Sequence, residues 1–133
     1  MKKYGLFTGF LFFFLISTVL SQNPILVWSD EFSFNGLPDS SKWNYEETAP
    51  YKNNEKQSCL RENLNNTRVE NGCLVIEAWK ESALGANYSS GSLITLNKHH
   101  FLYGRIEIRA MVPTGKGTWP AIWLLGTNID KVG

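Results

Sequence analysis

Cysteine is scarce in this chain: there are two, Cys59 and Cys73. Two cysteines cannot build a disulfide framework, and no Cys-x-x-Cys pair exists to hold zinc or run redox chemistry. Either they form one bridge, which export would permit, or they are two small buried side chains. Histidine is equally rare, and His99 and His100 sit side by side in a predicted turn. A metal site needs spaced ligands, so both are expected on the surface. No Ser-His-Asp set and no glycine-rich phosphate loop occurs. Neither sign of charge dominates: 13 Lys and Arg stand against 12 Asp and Glu, a net charge of +1. That balance excludes the basic patch of an electrostatic nucleic-acid binder. Helical periodicity is nearly absent, as are repeats and linkers, and the length suits one domain of modest size.

One long hydrophobic run is present, at the start. In "MKKYGLFTGFLFFFLISTVLSQNP", Lys2 and Lys3 precede the apolar stretch Leu6 to Leu20, which ends at the small residue Ser21. This is the pattern of a secretory signal peptide over residues 1–21, with a secreted or periplasmic product and no membrane attachment after cleavage. The alternative is a single membrane anchor, for which the run is short. Two Asn-x-Ser/Thr triplets, at Asn65 and Asn87, are read as chance matches because the leader looks bacterial.

From Gln22 to Gly133 the recurring pattern is the period of two that marks strands. "ILVWSDEF" is a β-prone run, and Asp39-Ser40-Ser41 can start one helical turn. "APYKNNEKQSCLRENLNNTR" reads as a long polar loop. "RVENGCLVIEAWKE" predicts a hairpin, because both central residues of a type I′ turn need positive φ and Asn71-Gly72 supplies them. Two more strands are expected around a turn at Asn97 to His100, and another in "GTWPAIWLLG". Short antiparallel strands with almost no helix make the fold all-β, a sandwich.

Two of these strands carry candidate chemistry. Arg105, Glu107 and Arg109 share one face of the first, either solvated or lining a polar cleft. Trp119 and Trp123 share one face of the second with Ala121 between them. Indole rings offer flat apolar surfaces to the C–H faces of sugars, and the charged strand offers partners for hydroxyls. The same tryptophans could instead be core. Pro120 fits that strand only at a bulge or an edge.

Taken in order, "VWSDEF", "SKWNYE", "NNEKQ", "VENGCLVIEAWKE" and "YGRIEIRAMVPTGKGTWPAIWLLG" resemble the N-terminal half of glycoside hydrolase family 16, in its laminarinase-like, endo-β-1,3-glucanase branch. The resemblance covers essentially all of residues 22–133. It implies a concanavalin-like β-jelly-roll sandwich, here incomplete, with a β-glucan cleft on the concave face. It also implies a monomer when complete and no cofactor for the chemistry. By similarity, Asn54, Glu107, Arg109, Trp119 and Trp123 line the sugar subsites, and Arg105 is a weaker candidate. A structural calcium in many relatives would fall near Glu31 and Gly72, held partly through backbone carbonyls. Family members hydrolyse with retention, using two carboxylates about 5 Å apart on a Glu-x-Asp-x-x-Glu strand. Here aspartate occurs only as Asp30, Asp39 and Asp130, and no Glu stands two residues before any of them. The expectation is the front part of a secreted hydrolase, with the catalytic strand beyond Gly133 and no activity of its own. The alternative is a glucan-binding protein that needs no nucleophile.

Overall fold

A computed structural model describes residues 23–50 and 52–132; the predicted leader over residues 1–21 lies outside the described residues. The elements are β1 Asn44–Tyr45, β2 Ser58–Cys59, β3 Thr67–Glu70, β4 Cys73–Ile76, β5 Ser89–Ser90, β6 Leu93–Ile94 and one helical turn, α1 Ile129–Val132. Strand is the dominant regular structure, as expected for this portion of a β-jelly roll. Among the described residues no helix is long and apolar enough to cross a membrane.

The hairpin forms where its turn residues require it. β3 and β4 pair antiparallel with Glu70 opposite Cys73, leaving Asn71 (φ 52°) and Gly72 (φ 73°) as the two-residue turn. Along β3, Thr67 and Val69 are fully enclosed while Arg68 and Glu70 stay half-buried. Arg68 donates to Glu70 at 2.9 Å and also contacts the Glu77 carboxylate, so one cation ties the two strands together. The single turn at Asp39 also forms: the Asp39 carbonyl accepts from the N–H groups of Lys42 and Trp43. Its carboxylate caps the Ser41 N–H at 2.8 Å, as a short side-chain acceptor does at a helix start.

Long-range pairs join these pieces. β1 pairs antiparallel with β6, and β2 pairs parallel with β5. Bridges link Thr48 to Cys59, Trp79 to Ser89 and Gly36 to Val69. Asn66, fully buried, donates its amide to the Glu77 carbonyl at 3.1 Å and to the Ser89 hydroxyl at 2.9 Å. Tyr45, Cys59, Val69 and Ala86 are the buried apolar side chains around this junction.

Four expectations need correction. The polar loop contains a strand, β2, whose Ser58 and Cys59 are buried. No apolar alternation marked it, because its interior position comes from pairing with distant β5. "ILVWSDEF" forms no strand: Ile25, Leu26 and Val27 are exposed and lack a pairing segment among the described residues. The run is held from Trp28 onward, where Trp28 packs edge-on to Trp43 and stacks on His99 at 5.8 Å. His99 is therefore half-buried in an aromatic cluster rather than at the surface. Residues 105–110 and 118–125, both read as strands, are extended but unpaired; among the described residues, 100–125 make no backbone–backbone hydrogen bond. Pleated sequence alone does not make a strand without a neighbour to satisfy its N–H and C=O groups. The two cysteines are not bridged: Cys59 is buried and Cys73 exposed.

Candidate functional site

Asn54 closes a short 3₁₀ turn, Lys52–Asn54. Both Asn53 (φ 55°) and Asn54 (φ 64°) are left-handed, a conformation that asparagine adopts more readily than most residues. The paired asparagines thus swing the loop outward and leave Asn54 exposed. Glu107 and Arg109 lie on the extended arm, as do Trp119 and Trp123, which are 87% and 69% exposed. Arg105 and Glu107 form an ion pair. This places both on one side of the arm, as alternation requires. Arg109 has no ion-pair partner among the described residues.

The arm and the paired body flank a wide, open space bordered by most of residues 99–129. Asn54, Arg105, Glu107, Arg109, Trp119 and Trp123 border it, but so do Ile106, Ile108 and Ile122 at the alternate positions, so bordering it singles out no face of the arm. Lys56 and Tyr88 border it too. Nothing local in the sequence marks those two; only the pairing of β2 with β5 brings them there. The tryptophan rings are not packed inside a core. Their exposure does not by itself assign the face they present, because Ile122, at an alternate position, is also 60% exposed.

Glu31 and Gly72 border the same space and are exposed. The segment carrying Glu31 is moored beside the hairpin: Gly36 and Val69 exchange backbone hydrogen bonds at 2.9 and 2.7 Å. Nearby, the Asn71 N–H donates to the Asn35 side chain. Calcium takes six to eight oxygens. Among the described residues no group of three or more His, Cys, Asp or Glu side chains is placed to hold an ion. Any calcium here would depend largely on backbone carbonyls, as the resemblance implies.

The anchor of the N-terminal segment is built from the "SDEF" and "SKW" stretches. Asp30 accepts from the Trp43 indole N–H at 2.7 Å and from the Phe32 N–H at 3.2 Å. Lys42 lies 3.4 Å from the same carboxylate, and its ammonium donates to the Ser29 carbonyl at 2.8 Å. The aspartate of "DEF" has a side chain that is 4% exposed and fully engaged.

The model of the family described as glycosyl hydrolases family 16 matches residues 44–132. The chain belongs to glycosyl hydrolases family 16. Within that family it is similar to the β-glucanase of Rhodothermus marinus, 50% identical over 101 residues. The aligned part is 75% of this chain and 35% of that protein. A glucan endo-1,3-β-glucosidase A1 from Niallia circulans is 40% identical, over 75% of this chain and 17% of the relative. Among solved structures, the laminarinase from Rhodothermus marinus superposes with a TM-score of 0.57 at 46% identity. That superposition covers 59% of this chain and 32% of the laminarinase. The chain therefore spans about a third or less of the family 16 relatives it matches.

Proposed function

We propose that residues 22–133 form the N-terminal part of the catalytic domain of a secreted, retaining endo-β-1,3-glucanase. In this reading Trp119 and Trp123 form an apolar platform for pyranose C–H faces. Arg109 and Asn54 serve ring hydroxyls, and Glu107 accepts from a hydroxyl while paired with Arg105. The observation that carries the proposal is the family 16 match over residues 44–132, which takes in "NNE", "RIEIR" and "WPAIW", with Trp119 and Trp123 exposed rather than buried in a core. The two carboxylates of retaining hydrolysis have no counterpart in this sequence, so bond cleavage is assigned to a strand outside these residues. Calcium near Glu31 and Gly72 would brace the N-terminal segment against the hairpin and take no part in the chemistry. Residues 1–21 would direct export, and N-terminal sequencing of the exported product should begin at Gln22.

Affinity electrophoresis of the product of the complete open reading frame in laminarin tests the glucan assignment. Retarded migration that weakens in Trp123→Ala is expected; mobility indifferent to the polysaccharide would overturn it. The second reading, a binding protein without hydrolysis, is favoured only by the missing Glu-x-Asp-x-x-Glu stretch. Reducing-end assays on the complete open reading frame separate the two: release of laminarin oligosaccharides supports the hydrolase, and none supports the binding protein.

A further inference from the structure

A smaller pocket of about 540 Å³ opens beside the wide space flanked by the arm, lined by Lys56, Lys80, Glu81, Ser82, Asn87 and Tyr88. Lys56 and Tyr88 border both spaces. Backbone pairing fixes this arrangement. Ser89 pairs in parallel with Ser58 on one side and antiparallel with Trp79 on the other. The antiparallel register sets Lys80 next to Tyr88. The parallel one brings Lys56, two residues before Ser58, to the same end of the patch. Three segments distant in sequence thus deliver two ammonium groups, an amide and a phenol to one rim.

Neither Lys56 nor Lys80 has an ion-pair partner among the described residues. The carboxylates flanking them in sequence are already engaged. Glu55 accepts from the Gln57 amide at 2.5 Å, and Glu81 accepts from the Ser89 hydroxyl. Glu81 keeps its negative charge in the same lining, so Lys56 and Lys80 leave this pocket with one positive charge in excess, and neither ammonium is tied into an ion pair among the described residues. We infer that this pocket is an accessory subsite for an anionic substituent on the glucan, a sulfate ester or a uronate carboxylate. Lys56 and Lys80 supply the charge, and Asn87 and Tyr88 supply neutral hydrogen bonds to the adjoining hydroxyls. The inference rests on the glucan-binding reading above. Exposed ammonium–anion contacts are individually weak and screened by salt, so the pocket tunes preference among glucans rather than creating affinity.

The test is affinity electrophoresis of the product of the complete open reading frame, and of its Lys56→Ala/Lys80→Ala variant, at fixed ionic strength. The gels contain laminarin, sulfated laminarin, C6-carboxylated β-1,3-glucan or dextran sulfate. Wild type should be held about five- to tenfold more tightly by an anionic β-1,3-glucan than by laminarin, summing two exposed contacts. The double variant should lose that preference while holding laminarin unchanged. Preference for the sulfated polymer alone assigns a sulfate ester, and for the carboxylated polymer alone a uronate. Equal retention on neutral and anionic glucans would overturn the inference. So would a preference that survives the double substitution, or equal retention by dextran sulfate, which would mark nonspecific polyanion binding. Failure on neutral laminarin with a preserved, lysine-dependent preference for anionic glucan would count instead against the platform formed by Trp119 and Trp123.

Discussion

Single side chains decide how firmly the N-terminal half is tied down. Asp30 is the sharpest case, with three protein donors around one enclosed carboxylate. Asp30→Ala would leave the Trp43 indole N–H without its acceptor, at about 1–3 kcal/mol for a buried donor left unsatisfied. Urea unfolding followed by tryptophan fluorescence should show the midpoint falling accordingly, whereas Ser40→Ala at an exposed turn position should hardly move it. Glu70 gives a pH dependence. The Arg68 guanidinium, chiefly through its hydrogen bond, holds this carboxyl below its ordinary value of 4.5. The folded value is the depressed one, so this stabilisation is complete above the unfolded value. It is lost as pH falls through the folded value. Hairpin amide protection, taken relative to the intrinsic exchange rate at each pH, should therefore be insensitive to this group at neutral pH and fall below about pH 4.5. Glu70→Gln should flatten that acid-side response.

At the level of elements, the hairpin and the arm are opposites. β3 and β4 satisfy each other's backbone groups; residues 100–125 satisfy none in this way among the described residues. Hydrogen–deuterium exchange should show protection over 67–76 and near-random-coil exchange over 105–125. Comparable protection in both would contradict the unpaired arm. The same contrast explains what could be read from sequence. The hairpin was legible because Asn71-Gly72 fixes its geometry within a few residues. The turn at Asp39 was legible for the same local reason. β2 was not, since Ser58 and Cys59 are interior only through contact with a segment some thirty residues later. The arm reads as strand in its alternation of Ile106, Ile108 and Ala110 with Arg105, Glu107 and Arg109. Pairing, though, belongs to two segments and cannot be read from one.

At the scale of the molecule, the buried apolar side chains among the described residues, Tyr45, Cys59, Val69 and Ala86, all belong to the paired body rather than the arm. Leu102, Tyr103, Met111, Trp119 and Leu124 stand mostly exposed on the arm. A surface of that kind favours association over a sharp native state. These 133 residues should melt broadly, show weak near-UV dichroism and release no reducing ends from laminarin. A cooperative transition with intense near-UV bands would contradict this. The candidate site could be named as a set because its members fall in short motifs, and Asn54, Glu107, Arg109, Trp119 and Trp123 are all exposed. Lys56, Lys80 and Tyr88 could not be, because their meeting depends on two pairings, of Ser89 with Ser58 and with Trp79. The unequal placement of the two thiols has a further use. Cys73 at the hairpin turn should react with a disulfide reagent as soon as it is mixed, and Cys59 only when β2 lifts away from β5. One labelling time course, read by mass, would then clock the opening of the innermost strand against an internal zero.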